Sequence, residues 1–372
     1  MRIGIPKEIK DHEYRVGLTP DSVREFAAAG HELSVETGAG AGINATDEAY
    51  RAAGAVMVGT ADEIFANSET IIKVKEPQEC EWTKLRENQI IFAFLHLAAN
   101  SRLTKGLLAS GCTAVAYETV TGQGGNGLPL LAPMSEVAGR LAIEAAGLAL
   151  QHQNGGRGVL LGGVPGVPPA RVTILGGGVA GTQAARMAIG LGADVTILDC
   201  SLQRLCQIDG LFQGRPKTRF ATAAAIEDTV SSSEAVIGAV LVPGATAPKL
   251  VTERMLSTMR QGAVLVDISI DQGGCFESSH ATTHSAPMFL KGGIVHYCVA
   301  NMPGAVPVTS THALNHAMLP YGLALAEGGL RSLARNPGLR AGLNVHCGHI
   351  THPALALSLG CELKEPGSVL AA

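Results

Sequence analysis

Short apolar runs alternate with stretches of helical spacing from the second residue onward. Period-2 or continuously apolar runs at 2–5, 31–36, 70–75, 89–97 and 113–117 predict strands. Apolar positions three and four apart at 22–29 and 47–53 predict helices between them. The glycine-punctuated stretch TGQGGNG at 121–127 leads into a long alanine- and leucine-rich helix expected over 135–151. Glycine clusters at 155–158 and 162–166 separate that helix from a second alternating series, with strands near 172–175, 195–198, 235–239 and 263–270. After Pro303 the pattern is helical to the end, with no strand signal. Strands that alternate with helices imply parallel sheets covered on both faces. The expectation is two α/β domains with a cleft between them, divided as 1–129 and 130–308, and a helical segment 309–372 packed back onto one of them.

Composition narrows the class. With 372 residues, 46% hydrophobic and 16% charged, the chain can bury two cores and is not disordered. Its 46 glycines follow no three-residue period, which excludes collagen, and their clustering points to tight turns and close backbone approach. A net charge of −4, no basic stretch and 4% aromatics exclude a nucleic-acid partner. No apolar run reaches membrane-spanning length, and the N-terminus is charged too early for a secretory leader, so a cytoplasmic protein without a membrane partner is expected. The eight cysteines form no CxxC and read as reduced core thiols.

The run 172–175 is followed at once by Gly176, Gly178 and Gly181 in G-x-G-x-x-G spacing, and then by an alanine-rich helical pattern. In such a loop the first glycine makes the tight turn, the second admits a pyrophosphate and the third lets helix and strand pack closely. The helix N-terminus favours the anion. The next strand ends in Asp199, 18 residues beyond the third glycine, where an acid receives the ribose hydroxyls. That carboxylate repels a 2′-phosphate, so the cofactor expected is NAD rather than NADP. The fold class is therefore α/β, with two Rossmann-like domains. Gly38, Gly40 and Gly42 lack the third spacing and a downstream acid and read as a tight connection.

Ligands of open α/β sheets bind beyond the carboxyl ends of the strands. Lys75, His96 and Arg15 fall in such places, as does Asp271 after the run 263–270. Each has a plainer alternative: an edge-protecting lysine, a satisfied core histidine, a surface arginine, or Asp267 as the acid in place of Asp271. His312 and His316, and His346, His349 and His352, have no neighbouring acid or zinc-type cysteine pattern, and no metal site is expected from them.

Taken together, eight segments resemble the alanine dehydrogenase family nearly end to end: MRIGIPKE (1–8), KVKEP (73–77), FLHLA (94–98), LAPMSEVAGR (131–140), GGRGVLLGGVPG (155–166), GAVLVPG (238–244), DISIDQGGC (267–275) and ANMP (300–303). The resemblance implies NAD-dependent oxidative deamination of L-alanine to pyruvate and ammonium, and the reverse, in a cytosolic homohexamer. It implies a substrate domain combining the N- and C-terminal segments. It assigns Arg15 and Lys75 to the substrate and His96 and Asp271 to acid–base work. Cofactor contacts carry over to Ser135, Val179, Ala180, Asp199, Val240, Leu241, Ile268, Ser269, Ile270, Val299, Ala300, Asn301 and Met302. Arg204 stands where many members carry a lysine beside the ribose, and Ala221 and His280 replace a serine and an arginine. The alternatives are the soluble NAD-binding subunit of a transhydrogenase, or an NAD-binding sensor without catalysis.

Overall fold

A computed structural model describes residues 1–241 and 246–370. It divides into two compact units, Met1–Met134 with Val306–Ala372, and Ser135–Ala305.

In the first unit, β1 (Arg2–Ile5), β2 (Glu32–Glu36), β3 (Val56–Val58), β4 (Thr70–Ile72), β5 (Ile90–Ala93) and β6 (Thr113–Ala116) run parallel in the spatial order β3-β2-β1-β4-β5-β6. β4, β5 and β6 are buried at every position, as expected of central parallel strands covered on both faces. The order reverses between β1 and β4, and such a switch point is where an open sheet binds its ligand.

The second unit repeats the arrangement. β7 (Arg171–Leu175), β8 (Asp194–Asp199), β9 (Lys217–Phe220), β10 (Ala235–Gly238), β11 (Val264–Asp267) and β13 (Ile294–Tyr297) are parallel in the order β9-β8-β7-β10-β11-β13. β12 (Met288–Lys291) adds an antiparallel edge. The switch point lies between β7 and β10.

Several expectations change. The C-terminal segment is not purely helical: β14 (Leu343–His346) and β15 (His349–Ile350) extend the first sheet antiparallel beyond β6. Both sheets are therefore mixed at one edge. β14 gives no alternating signal because Asn344 and His346 are buried with the apolar positions. Their burial is offset by hydrogen bonds, Asn344 Nδ2 to Thr119 Oγ1 at 2.8 Å and His346 Nδ1 with Thr113 Oγ1 at 2.8 Å. The run 70–75 ends as regular strand at Ile72 and the run 89–97 at Ala93, although backbone bonds from Lys73 to Phe92 and from Phe94 to Val74 prolong the pairing. Of the cysteines, all free, Cys112, Cys275 and Cys298 are buried and the other five exposed, so the core reading holds for three. Among the described residues no helix is long and apolar enough to cross a membrane.

Candidate functional site

At the switch point of the first unit the chain buries an unusual density of charge. Glu8, Glu13 and Arg15 follow β1, and Lys73 and Lys75 follow β4; all five are buried. Arg15 grips Glu13 in a two-pronged contact, Nε to Oε1 at 2.7 Å and Nη2 to Oε2 at 2.6 Å, and its Nη1 donates to Met134 Sδ at 3.1 Å. Thioether sulfur is a weak acceptor, so an anion oxygen would displace it readily. Gly42 lets the 38–42 connection touch this loop, since a Cβ there would stand 2.1 Å from the Tyr14 carbonyl oxygen.

Lys75 is placed by its backbone. Glu8 Oε1 accepts the amide of Val74 at 2.7 Å and, more loosely, that of Lys75 at 3.4 Å. Glu8 Oε2 stands 3.1 Å from Lys73 Nζ, which also reaches Glu81 Oε1 at 2.9 Å. Burial pushes the Glu8 carboxyl above its ordinary range, with Lys73 opposing the rise. The plainer reading of Lys75 as an edge-protecting residue fails, because it is buried and follows a central strand.

His96 is not a core residue within a strand. It lies three residues past β5 in the left-handed region at φ 48, with 38% of its side chain exposed. Glu118 holds it there: the His96 amide donates to Glu118 Oε1 at 2.6 Å and the Leu95 amide at 3.2 Å. The Phe94 ring lies parallel to the imidazole at 5.9 Å.

In the second unit each glycine of the turn after β7 has a distinct environment. Gly176 has φ +100, and a Cβ there would stand 2.6 Å from Ala239 O; at Gly181 a Cβ would stand 1.8 Å from Gly176 O. At Gly178 a Cβ would meet nothing within 4 Å, so this point of the turn is open to a ligand. Gly178 caps the helix Val179–Gly190, whose leading N–H groups have no intrahelical acceptor and can receive a pyrophosphate. Gly139, which sequence reading passed over, brings the long helix Ala132–Ala149 against Ala180, where a Cβ would stand 2.1 Å from the carbonyl oxygen. Ser135 is half-buried on that helix.

Asp199 ends β8 and binds the turn: its Oδ2 accepts the Gly177 amide at 2.7 Å and its Oδ1 the Ser201 amide at 2.8 Å. Arg204 crosses the same loop, donating from Nε to Gly177 O at 2.5 Å and from Nη2 to Thr182 Oγ1 at 2.6 Å. The donors and acceptors around Gly176–Gly181 thus fit a dinucleotide.

Asp271 does not end a strand. β11 stops at Asp267, and Ile268–Gln272 is a 3-10 turn with Ile270 buried and Asp271 exposed. The strand-end acid is Asp267, buried and engaged by the Ser269 amide at 3.1 Å, the Cys275 amide at 3.0 Å and Ser279 Oγ at 2.6 Å. Burial pushes its carboxyl upward. Fully engaged in holding the turn, Asp267 is the structural member of the pair. Ser269 clips the turn to the end of β10 by donating to Val240 O at 2.7 Å and accepting the Val240 amide at 3.1 Å. Leu241 beside it is exposed, and residues 242–244 of the GAVLVPG segment lie outside the described residues. Val299–Met302 follow β13, with Asn301 at φ 63 and Val299 and Met302 buried.

The two units define a nucleotide-binding α/β protein in which one sheet carries a glycine turn and the other carries buried cations at its own switch point. The family profile "Alanine dehydrogenase/PNT, N-terminal domain" matches residues 4–138, and "Alanine dehydrogenase/PNT, C-terminal domain" matches 142–353. The chain belongs to the alanine dehydrogenase/PNT family. It is 54% identical to an alanine dehydrogenase of Halomonas elongata, covering 100% of both chains. A solved L-alanine dehydrogenase structure superposes with a TM-score of 0.93 at 48% identity, covering 97% of this chain and 99% of the other. A transhydrogenase from Sinorhizobium meliloti superposes with a TM-score of 0.79 at 26% identity, covering 95% and 100%.

Proposed function

We infer that the protein is an oxidoreductase that converts L-alanine, water and NAD+ to pyruvate, ammonium, NADH and a proton, and catalyses the reverse. The observation that carries the chemistry is the pair of buried cations, Arg15 and Lys75, following the two strands of the first unit's switch point. Two cationic side chains beside one switch point suit a small carboxylate, and the alanine carboxylate can engage both. Arg15 offers a planar fork that exchanges Met134 Sδ for a carboxylate oxygen.

Bound NAD supplies the two-electron acceptor. His96 takes a proton from the alanine ammonium, so that the nitrogen lone pair can form C=N as Cα loses its hydrogen. It releases that proton to solvent and, neutral again, removes a proton from the water that adds to the iminium carbon and passes it to the nitrogen as ammonia leaves. Asp271 offsets the positive charge of the iminium. Asp199 receives the ribose hydroxyls and disfavours NADP, Arg204 flanks them, and the glycine turn takes the pyrophosphate. Ser135, Val179, Ala180, Val240, Leu241, Ile268–Ile270 and Val299–Met302 complete the cofactor site. The protein acts as a cytoplasmic homohexamer, and light scattering from the eluting peak should give the mass of six chains.

Loss of NADH absorbance in the presence of pyruvate and ammonium tests the reading. Rapid loss that needs both substrates, with little loss when NADPH replaces NADH, is expected. Loss without ammonium would indicate a hydroxy-acid reaction. No loss, with NADH still bound, would favour the transhydrogenase-subunit or sensor reading.

A further inference from the structure

The turn that carries Asp271 is held on two sides by side chains outside it. Asp267 takes amides at both ends of the turn, those of Ser269 and Cys275. Lys249 takes the carbonyls: its Nζ donates to Gly273 O at 2.5 Å, Gly274 O at 2.8 Å and Phe276 O at 3.2 Å. An ammonium group has three N–H bonds, and here each has its own carbonyl.

The convergence has a backbone cause. Gly273 and Gly274 are consecutive left-handed residues, at φ +86 and +74. That conformation is open to glycine at no steric cost and strained for other residues. Three carbonyl oxygens drawn to one point form the kind of seat a monovalent cation takes by exchanging hydration water for carbonyl dipoles. Lys249 reaches it from 22 positions before the acid.

We propose that Lys249 is a positioning residue for Asp271, a tethered cation capping the carbonyls of Gly273, Gly274 and Phe276, whose seat a free potassium ion can take when the side chain is removed. The proposal rests on the reading of Asp271 as the group that offsets the iminium charge. Misplacing a reacting group by about 1 Å costs on the order of 10²-fold in rate, so loosening the turn should register in turnover.

Lys249→Ala is compared with the parent in potassium chloride and in choline chloride at equal ionic strength. Amide exchange of the 268–276 peptide is measured alongside kcat for alanine oxidation. The oxidative direction is used because ammonium itself fits the seat. In choline, exchange should rise about tenfold or more as the turn opens and kcat should fall by about tenfold or more. Potassium should reverse both, while the parent ignores the salt. Unchanged exchange, equal behaviour in the two salts, or faster exchange with kcat within twofold of the parent would each overturn the proposal. If Lys249→Ala does not fold, Lys249→Met keeps the aliphatic stem, drops the charge and is read the same way. A parent inactive on alanine would fail the functional reading instead, and potassium-dependent exchange would still support the seat.

Discussion

Asp199 Oδ2 accepts the backbone N–H of Gly177 at 2.7 Å, so the acid ending one strand is tied to the glycine turn ending its neighbour. One carboxylate therefore orders the loop and presents its remaining lone pairs beside it. Asp199→Ala should weaken NADH binding by about tenfold to a hundredfold, the scale of lost hydrogen bonds to a charged group. It should also narrow the preference for NADH over NADPH. Fluorescence titration with both nucleotides measures this; an unchanged NADH affinity would remove Asp199 from the ribose site.

Gly178 and Gly181 should respond differently to the same added methyl group. At Gly181 the new Cβ would stand 1.8 Å from Gly176 O, whereas at Gly178 no atom lies within 4 Å. Gly181→Ala should fail to fold or lose several degrees of Tm. Gly178→Ala should keep the parent's Tm and bind NADH about tenfold or more weakly, because the methyl group occupies space the pyrophosphate needs. Melting curves with and without NADH separate the two effects.

Glu8 gives a pH signature. Its folded-state pKa is raised above 4.5, first by burial, with Lys73 opposing. A raised carboxyl binds its proton more tightly when folded, so its contribution is present below the unfolded pKa and lost as pH rises through the folded one. Denaturant titrations from pH 4 upward should show this loss in the parent and a flatter profile in Glu8→Gln. Glu8→Ala should cost about 3 kcal/mol, because it removes one partner of a buried ion pair. It should also raise the KM for pyruvate as the Val74 and Lys75 amides lose their acceptor.

His96→Ala should lower kcat by about 10²-fold, the usual scale of general acid–base work, with NADH binding retained. Glu118→Ala should lower kcat in the same direction, since Glu118 takes the Leu95 and His96 amides and so fixes a left-handed histidine. Restoration by Glu118→Gln, which keeps an acceptor oxygen, would indicate that positioning matters more than the charge. Turnover of His96→Ala equal to the parent's would remove the histidine from the mechanism.

The cofactor turn was legible because its determinants are local: strand, glycine spacing, helix and strand-end acid lie within Val172–Asp199, and each acts on backbone a few residues away. The central strands were legible for a related reason, since full burial on both faces leaves continuous apolar runs such as those of β4 and β5. Arg15, Lys75 and His96 could be picked out as polar residues near strand ends, but not told from edge or core residues. Arg15 and Lys75 are set apart by the switch point between β1 and β4, and a strand order is a long-range fact. The same limit hid β14, whose polar Asn344 and His346 are satisfied by Thr119 and Thr113, more than 200 residues away in sequence. It also favoured Asp271 over Asp267 as the strand-end acid, because where a strand stops depends on which amides a side chain captures. Sequence alone determined the α/β class and the glycine turn between β7 and its helix. Tertiary structure decided which charges are buried, and which partners far along the chain make that burial tolerable.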